Sequence, residues 1–480
     1  MLLPASDRLI NLGAAKNERC RKIKVFFVKF KSLFSPPDLT CYPYFLGRKI
    51  KLSEKQKPED KSKYSVFYFL KDKEISLNPP KFFLLFFRSA IRANPDKAPV
   101  TITRKDNSYS YNKNVFGKKL LVIYVDGLSS FINQKSNMMS KLMPNTNTFF
   151  HNATIFENYY GTGEWTLPNY ASLMTGKLQN SHGFIFSSKK RSRLKYSAKF
   201  PLLHEYLEEI GLNTNVISAV PYVNPNFGFH HGTENFLYAK NLNAKGIIEW
   251  YEYFEKKHER NNVTWLHFMD IHHKLRGSDG ASSDSNAELV NELVTQFRFA
   301  KEDAQNFISR ARNLDSNLER LFSLDFTHKY ENVILVSDHG STRLNKEWEK
   351  CLDDARTKTT LITRNKRQNG QIYVGDLVNH LSFPKIVMEL LGIEHSKIQP
   401  KLHEKALLIQ AIYEGKRYRA RFRDKKVDID FVGSFVGKKR PFIQENDVYK
   451  LISDPKLNHL SRIHKNEIVN ELLGNSKTVS

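Results

Sequence analysis

Between residue 118 and about residue 400, the apolar positions fall into two alternating rhythms. Residues 119–125 (KLLVIYV), 213–220, 263–269 and 332–337 (NVILVS) are short runs with little polar interruption. Such runs suit strands of a parallel sheet buried on both faces. Between and after them, residues 201–210, 244–258, most of 282–324, and 377–391 place apolar side chains every three to four positions. That spacing predicts helices with one buried face. Residues 358–362 read as a further strand. The alternation predicts an α/β domain with a central, largely parallel sheet covered by helices.

Two flanking regions have a different texture. Residues 64–70 and 82–87 are β-like by aromatic content and are separated by a turn at Asn78-Pro79-Pro80. Beyond residue 400, three short strands are predicted at 406–413, 416–423 and 427–432, joined by turns at Glu414-Gly415 and Asp424-Lys425-Lys426. A helical tail is expected after Asn446. The expected organisation is a basic accessory region (1–115), a main α/β domain (116–400), and a small antiparallel β subregion with its tail (401–480).

Composition narrows the class. In 480 residues, 40% are hydrophobic and 12% aromatic. That is enough apolar surface for a core and excludes a disordered chain. The net charge is +25, and residues 1–115 hold 24 Lys and Arg against 10 Asp and Glu. A basic surface attracts polyanions. Paired Cys/His fingers and RNP signatures are missing, so nucleic acid ranks below an anionic phosphate ester, a glycan or a lipid headgroup as partner. Residues 21–34 (RKIKVFFVKFKSLF) mix lysine with phenylalanine and would suit peripheral contact with an anionic membrane. A surface element packing its aromatic face on the main domain is the simpler reading.

Cys20, Cys41 and Cys351 are too few and too scattered for a disulfide framework or a thiolate zinc site. The first fifteen residues lack an apolar core segment, and no run reaches the roughly 18 apolar residues of a membrane span. A cytoplasmic or peripheral membrane location is expected.

The candidate chemistry sits at strand ends, where open α/β sheets bind ligands. Asp126 follows the first buried run, and Asp338-His339 follows the last. Between them lies Gly161-Thr162-Gly163-Glu164-Trp165-Thr166-Leu167-Pro168-Asn169. Pro168 suits the first turn of a helix, which puts Thr166 near a helix N-terminus. Alone, such a threonine is most often an N-cap. With two carboxylates and an imidazole nearby, a metal-activated hydroxyl is the better reading. A third cluster, Asp270, His272 and His273, follows the 263–269 strand. His267, inside that strand, reads as a packed core histidine.

These motifs, in this order, resemble the sulfatase-like branch of the alkaline phosphatase superfamily over residues 119 to about 400. Leu121-Val122-Ile123-Tyr124-Val125-Asp126-Gly127 resembles the first metal-binding strand, and Met143-Pro144-Asn145 the start of the helix that follows. The run from Thr166 to Gly176, continuing to Ser181-His182-Gly183, resembles the nucleophile loop and helix. Phe227-Gly228-Phe229-His230-His231-Gly232, His267 to His272, Val336 to Gly340, and residues 376–393 resemble later elements.

The resemblance implies an alkaline phosphatase-like sandwich. Thr166 would be the nucleophile and Asp126, Thr166, Asp338 and His339 the metal ligands. His272 would bind the transferred group or protonate the leaving group. Asp270 and His273 are candidates for a second metal or for the substrate. Zinc or manganese is the implied ion.

True sulfatases of this superfamily need a Cys or Ser, converted to formylglycine, in a Cys/Ser-x-Pro-x-Arg context. Here Thr166-Leu167-Pro168-Asn169-Tyr170 keeps only the proline. Threonine is the nucleophile type of the phosphodiesterases and of the phosphoethanolamine and phosphoglycerol transferases. The expected function is hydrolysis of phosphate esters. Transfer to a surface glycan and non-catalytic polyanion binding are the alternatives, and sulfate ester hydrolysis ranks low.

Overall fold

A computed structural model describes residues 64–70, 73–77, 100–104, 118–130, 137–182, 184, 200–224, 227–239, 242–257, 263–272, 286–297, 299, 301–340, 352–394, 406–413, 417–424, 426, 428–436, 442–443, 449, 452–461, 465–466 and 468–469. The expectations for 21–34, 82–87 and His273 lie outside them. The strands are β1 (Tyr64–Leu70), β2 (Lys73–Leu77), β3 (Val100–Arg104), β4 (Leu120–Val125), β5 (Thr154–Tyr160), β6 (Thr214–Ser218), β7 (Asn235–Tyr238) and β8 (Val263–Phe268). They continue with β9 (Asn332–Val336), β10 (Leu361–Asn365), β11 (Ile372–Asn379), β12 (Ala406–Tyr413), β13 (Arg417–Asp424), β14 (Asp428–Val436) and β15 (Phe442–Ile443).

The chain divides into two compact units. One comprises Met1–Phe116 with His204–His267. In it β8, β6 and β7 run parallel, and β3, β1 and β2 continue from β7 with antiparallel pairing. Every residue of β6, β7 and β8 is buried, as their unbroken apolar character requires. The helix Ala244–Lys257 belongs to this unit, as does the helix Leu203–Glu209 from its second residue onward.

The other unit comprises Gly117–Leu203 with Phe268–Ser480. Its main strands lie in the order β11, β5, β10, β9, β4. β4 and β9 are parallel, as are β5 and β11, while β10 is antiparallel to both its neighbours. The helix Thr166–Thr175 is buried all round and stops at Gly176, whose φ of 62° is the left-handed cap that glycine adopts without strain. Asp315, on the long helix Lys301–Ser323, is 2% exposed. It accepts hydrogen bonds from Asn145 N, Thr146 N and Thr146 Oγ1, capping the helix Pro144–Phe149 from outside. A separate antiparallel sheet, β12-β13-β14-β15, matches the antiparallel strands expected beyond residue 400, while the element described after Asn446 is a 3-10 turn at Pro455–Leu457.

Some boundaries differ from those predicted. The helix expected over 377–391 begins at Phe383, after a 3-10 turn at His380–Ser382, because residues 377–379 pair with β5 as the end of β11. β11 is half-exposed and carries an irregularity between Val374 and Leu377, so its apolar pattern is weak. The strand expected from 358 starts at Leu361, and Lys358 and Thr359 make only isolated bridges. β5 and β7 carry no pattern strong enough to predict.

Candidate active site and metal centre

The β4–β9 pairing places Tyr124 opposite Val336. Two residues further along, the parallel register carries Asp126 and Asp338 off the same edge of the sheet. Gly127, at φ 77°, turns the chain away from β4, and its N–H donates to Asp338 Oδ1 at 3.0 Å. The next amide, Leu128 N, donates to Ser337 Oγ at 2.8 Å. Asp126 N donates to Phe268 O at 2.9 Å, which fixes the loop carrying Asp270 and His272 beside the same edge.

Thr166 comes to this edge as the first residue of its helix. The N-cap position is Trp165, in extended conformation and without a side-chain cap, so the Thr166 hydroxyl is not spent on capping. Thr166 Oγ1 donates to Asp126 Oδ2 at 3.1 Å and lies 3.3 Å from His339 Nε2. Among the described residues, Asp126, Asp338 and His339 form the group whose ligand atoms lie within 4.8 Å of one another, and all three are buried.

The donor set fits a cation. His339 Nδ1 lies 2.9 Å from Gly340 O, and a carbonyl can only accept, so Nδ1 carries the proton. In the neutral ring Nε2 then holds the lone pair. Nε2 faces Asp338 Oδ2 at 3.2 Å and Asp126 Oδ1 at 3.8 Å. Neither of those buried carboxylate oxygens accepts a hydrogen bond from the described residues. Lone pairs therefore converge on one spot, which is costly in a dry interior unless a positive charge sits there. Burial, and then the charge of Asp338, push the Asp126 carboxyl well above the usual carboxylate range, against the Thr166 hydrogen bond and the Arg356 charge. Two carboxylates and one imidazole, with no thiolate, suit a divalent cation that takes oxygen and nitrogen ligands. Burial, and then Asp338 and Asp126, hold the Tyr124 hydroxyl beneath them in its neutral form.

His272 stands at the rim. Its Nε2 is 4.0 Å from Asp126 Oδ1, and its side chain is 18% exposed against 2% for His339. Asp270 is half-buried on the same loop and lies outside the three-residue ligand group. His267 is fully buried in β8, where burial holds it neutral. His380, also fully buried, is engaged by Ser337 O at 3.1 Å.

Two contributors carried no assigned role in the sequence reading. The Asn169 side chain clasps Gly163, accepting from its N–H at 2.8 Å and donating to its carbonyl at 2.9 Å. This locks the loop that presents Thr166. Arg356, on the one-turn helix Asp354–Thr357, donates from Nε to Glu164 O at 2.6 Å and from Nη1 to Gly340 O at 2.9 Å. The adjacency of Asn169 to the Thr166-x-Pro168 pattern was a usable signal. Arg356 offered none, because only the fold brings it to residues 164 and 340.

No protein-family model and no curated protein sequence matches the chain. Solved structures do. A 2-O GAG sulfatase is 15% identical, with 71% of this chain and 88% of that one covered and a TM-score of 0.50. A protein in the alkaline phosphatase superfamily from Vibrio parahaemolyticus is 14% identical over 74% and 88%, at 0.48. The phosphonate monoester hydrolase SpPMH from Silicibacter pomeroyi is 13% identical over 68% and 88%, at 0.46. The chain has a sulfatase-like α/β fold.

Proposed function

We propose that this protein is a metal-dependent hydrolase of phosphate esters whose nucleophile is the Thr166 hydroxyl. The observation that carries the reading is the position of Thr166 Oγ1, 3.1 Å from Asp126 Oδ2 and 3.3 Å from His339 Nε2. Asp126, Asp338 and His339 would hold the ion, with Thr166 Oγ1 at its edge. A divalent cation there supplies a lowered hydroxyl pKa and neutralises charge on the phosphoryl oxygens.

The chain's own groups account for the remaining steps. Thr166 Oγ forms a bond to phosphorus as the ester oxygen leaves, and Asp126 Oδ2 is the acceptor its proton faces. His272, at the solvent rim, donates a proton to the departing oxygen. The positive end of the Thr166–Thr175 helix favours the anionic group. Water then attacks phosphorus and gives a proton to the neutral His272, while the bond from phosphorus to the Thr166 oxygen breaks and that oxygen takes back the proton held at Asp126.

Phosphate is preferred to sulfate because of the residue type. Threonine carries a methyl group on Cβ, so oxidation there would give a ketone and not the formylglycine aldehyde. The test is a screen of aryl phosphate monoesters, phosphodiesters and sulfate esters with protein reconstituted with zinc or manganese. Metal-dependent turnover of a phosphate ester is expected. Turnover confined to sulfate esters, or none with any ester, would overturn the reading.

A further inference from the structure

Arg356 is half-buried, comes from a segment distant in sequence, and uses two nitrogens on two different loops. Glu164 O belongs to the loop that presents Thr166. Gly340 O belongs to the loop that presents His339, and it is the same carbonyl that accepts from His339 Nδ1. We infer that Arg356 is a positioning residue that fixes the distance between nucleophile and metal-ligand loops and locks the His339 ring with Nε2 toward the carboxylates. The inference rests on the metal-site reading above.

The surrounding backbone supports a built arrangement. Gly340 N donates to Arg356 O at 2.7 Å, so residues 340 and 356 are joined by both backbone and side chain. Gly161 N donates to Thr357 O at 2.7 Å, tying the other loop to the same short helix. A Cβ on Gly340 would lie 2.2 Å from Ala355 O, so only glycine permits this approach.

The helix is also held from its far side. Arg421 Nη1 donates to Leu352 O and to Asp354 Oδ1, and Arg423 Nη1 donates to Asp354 Oδ2 and to the Tyr160 hydroxyl. Arg421 meanwhile pairs with Asp428 through Nε and Nη2. The C-terminal sheet thus braces the helix that carries Arg356.

A guanidinium suits this task because its donors diverge in one rigid plane. Lysine keeps the charge but presents a single nitrogen. Arg356→Lys therefore separates geometry from electrostatics, whereas Arg356→Ala removes both. Groups that orient metal ligands typically change metal affinity by about 10- to 100-fold when removed.

The experiment compares wild type and Arg356→Lys by two readouts, with thermal melting to verify folding. The first is nitrogen NMR of protein labelled on histidine, in the metal-free state at mildly alkaline pH. The expected wild-type signal for His339 is one tautomer, protonated at Nδ1, and the expected Arg356→Lys signal is a mixture. The second is calorimetric titration with Zn²⁺, in which about tenfold or weaker binding is expected for the folded variant. An unchanged tautomer together with an unchanged zinc affinity would overturn the inference. Wild type that fails to bind zinc or manganese would instead overturn the metal-site reading, and the tautomer readout would still decide the role of Arg356. Arg356→Gln, which keeps a forked polar end without charge, replaces the lysine variant if that one does not fold.

Discussion

Thr166 donates its hydroxyl proton to Asp126 across 3.1 Å, although the two residues are separated by 40 positions in the chain. One comes from a strand end and the other from a helix start, and both are almost completely buried. A buried carboxylate that accepts from a threonine and faces a second carboxylate is poorly compensated without a cation. Metal should therefore stabilise the fold as well as the chemistry. Binding at a free concentration about 100-fold above the dissociation constant contributes about 2.7 kcal/mol. Differential scanning of the chelated and zinc-loaded forms should show a higher melting temperature with zinc. That increment should vanish in Asp338→Ala.

Asn169 is expected to be the most sensitive polar residue that touches no ligand. Asn169→Ala would leave the Gly163 amide and carbonyl buried without their partners, at a cost of about 1–3 kcal/mol. Asn169→Asp would set a carboxylate oxygen against the Gly163 carbonyl and should cost more. Urea denaturation measures both. Metal content should be largely kept in Asn169→Ala while turnover falls, because the loop that presents Thr166 is released and the three ligands are not.

Acid should destabilise each unit through buried neutral histidines. Burial lowers His204 to about 3 in one unit, and lowers His182 to about 3 and His380 to about 4 in the other. His182 shows the logic: its Nδ1 accepts from Phe184 N, and its Nε2 lies 3.1 Å from Ser172 Oγ, so the neutral ring is fully used. These folded-state values lie below the unfolded value of 6.5, so the unfolded chain binds more protons. Stability is full above about 6.5 and declines as pH falls toward 4. Urea midpoints measured across that interval should fall steadily. His204→Phe should flatten the dependence, whereas a wild-type profile without slope would contradict the assignment.

Gly340→Ala should be poorly tolerated. Its new Cβ would meet the Ala355 carbonyl at 2.2 Å, and that carbonyl belongs to the backbone. Relief requires moving the one-turn helix or the His339 loop, at about 1–3 kcal/mol. Lower thermal stability and weaker zinc binding are expected together, since both follow from the same displacement.

The buried parallel strands were legible because burial on both faces leaves an unmistakable apolar run, as in β4, β8 and β9. Asp126 and Asp338 were legible as strand-end residues, and the β4–β9 register explains why they meet. β5 and β11 were not. β5 alternates weakly, and β11 is half-exposed along most of its length, so neither announces itself locally. Arg356 was illegible for a deeper reason. Its significance lies in two carbonyl groups, at 164 and 340, and carbonyls leave no mark on a side-chain pattern.

The central claim is that the Thr166 hydroxyl attacks phosphorus beside Asp126, Asp338 and His339, which would hold a metal ion. Its most direct test is Thr166→Ala, assayed for metal content and for turnover of the best aryl phosphate ester, with acid-quenched wild type digested for mass analysis. The expected result is zinc or manganese retained on Asp126, Asp338 and His339, with turnover lower by roughly a thousandfold or more. The wild-type peptide containing residue 166 should carry the trapped phosphoryl group, and the variant peptide should not. Undiminished turnover by Thr166→Ala with its metal intact would contradict the claim.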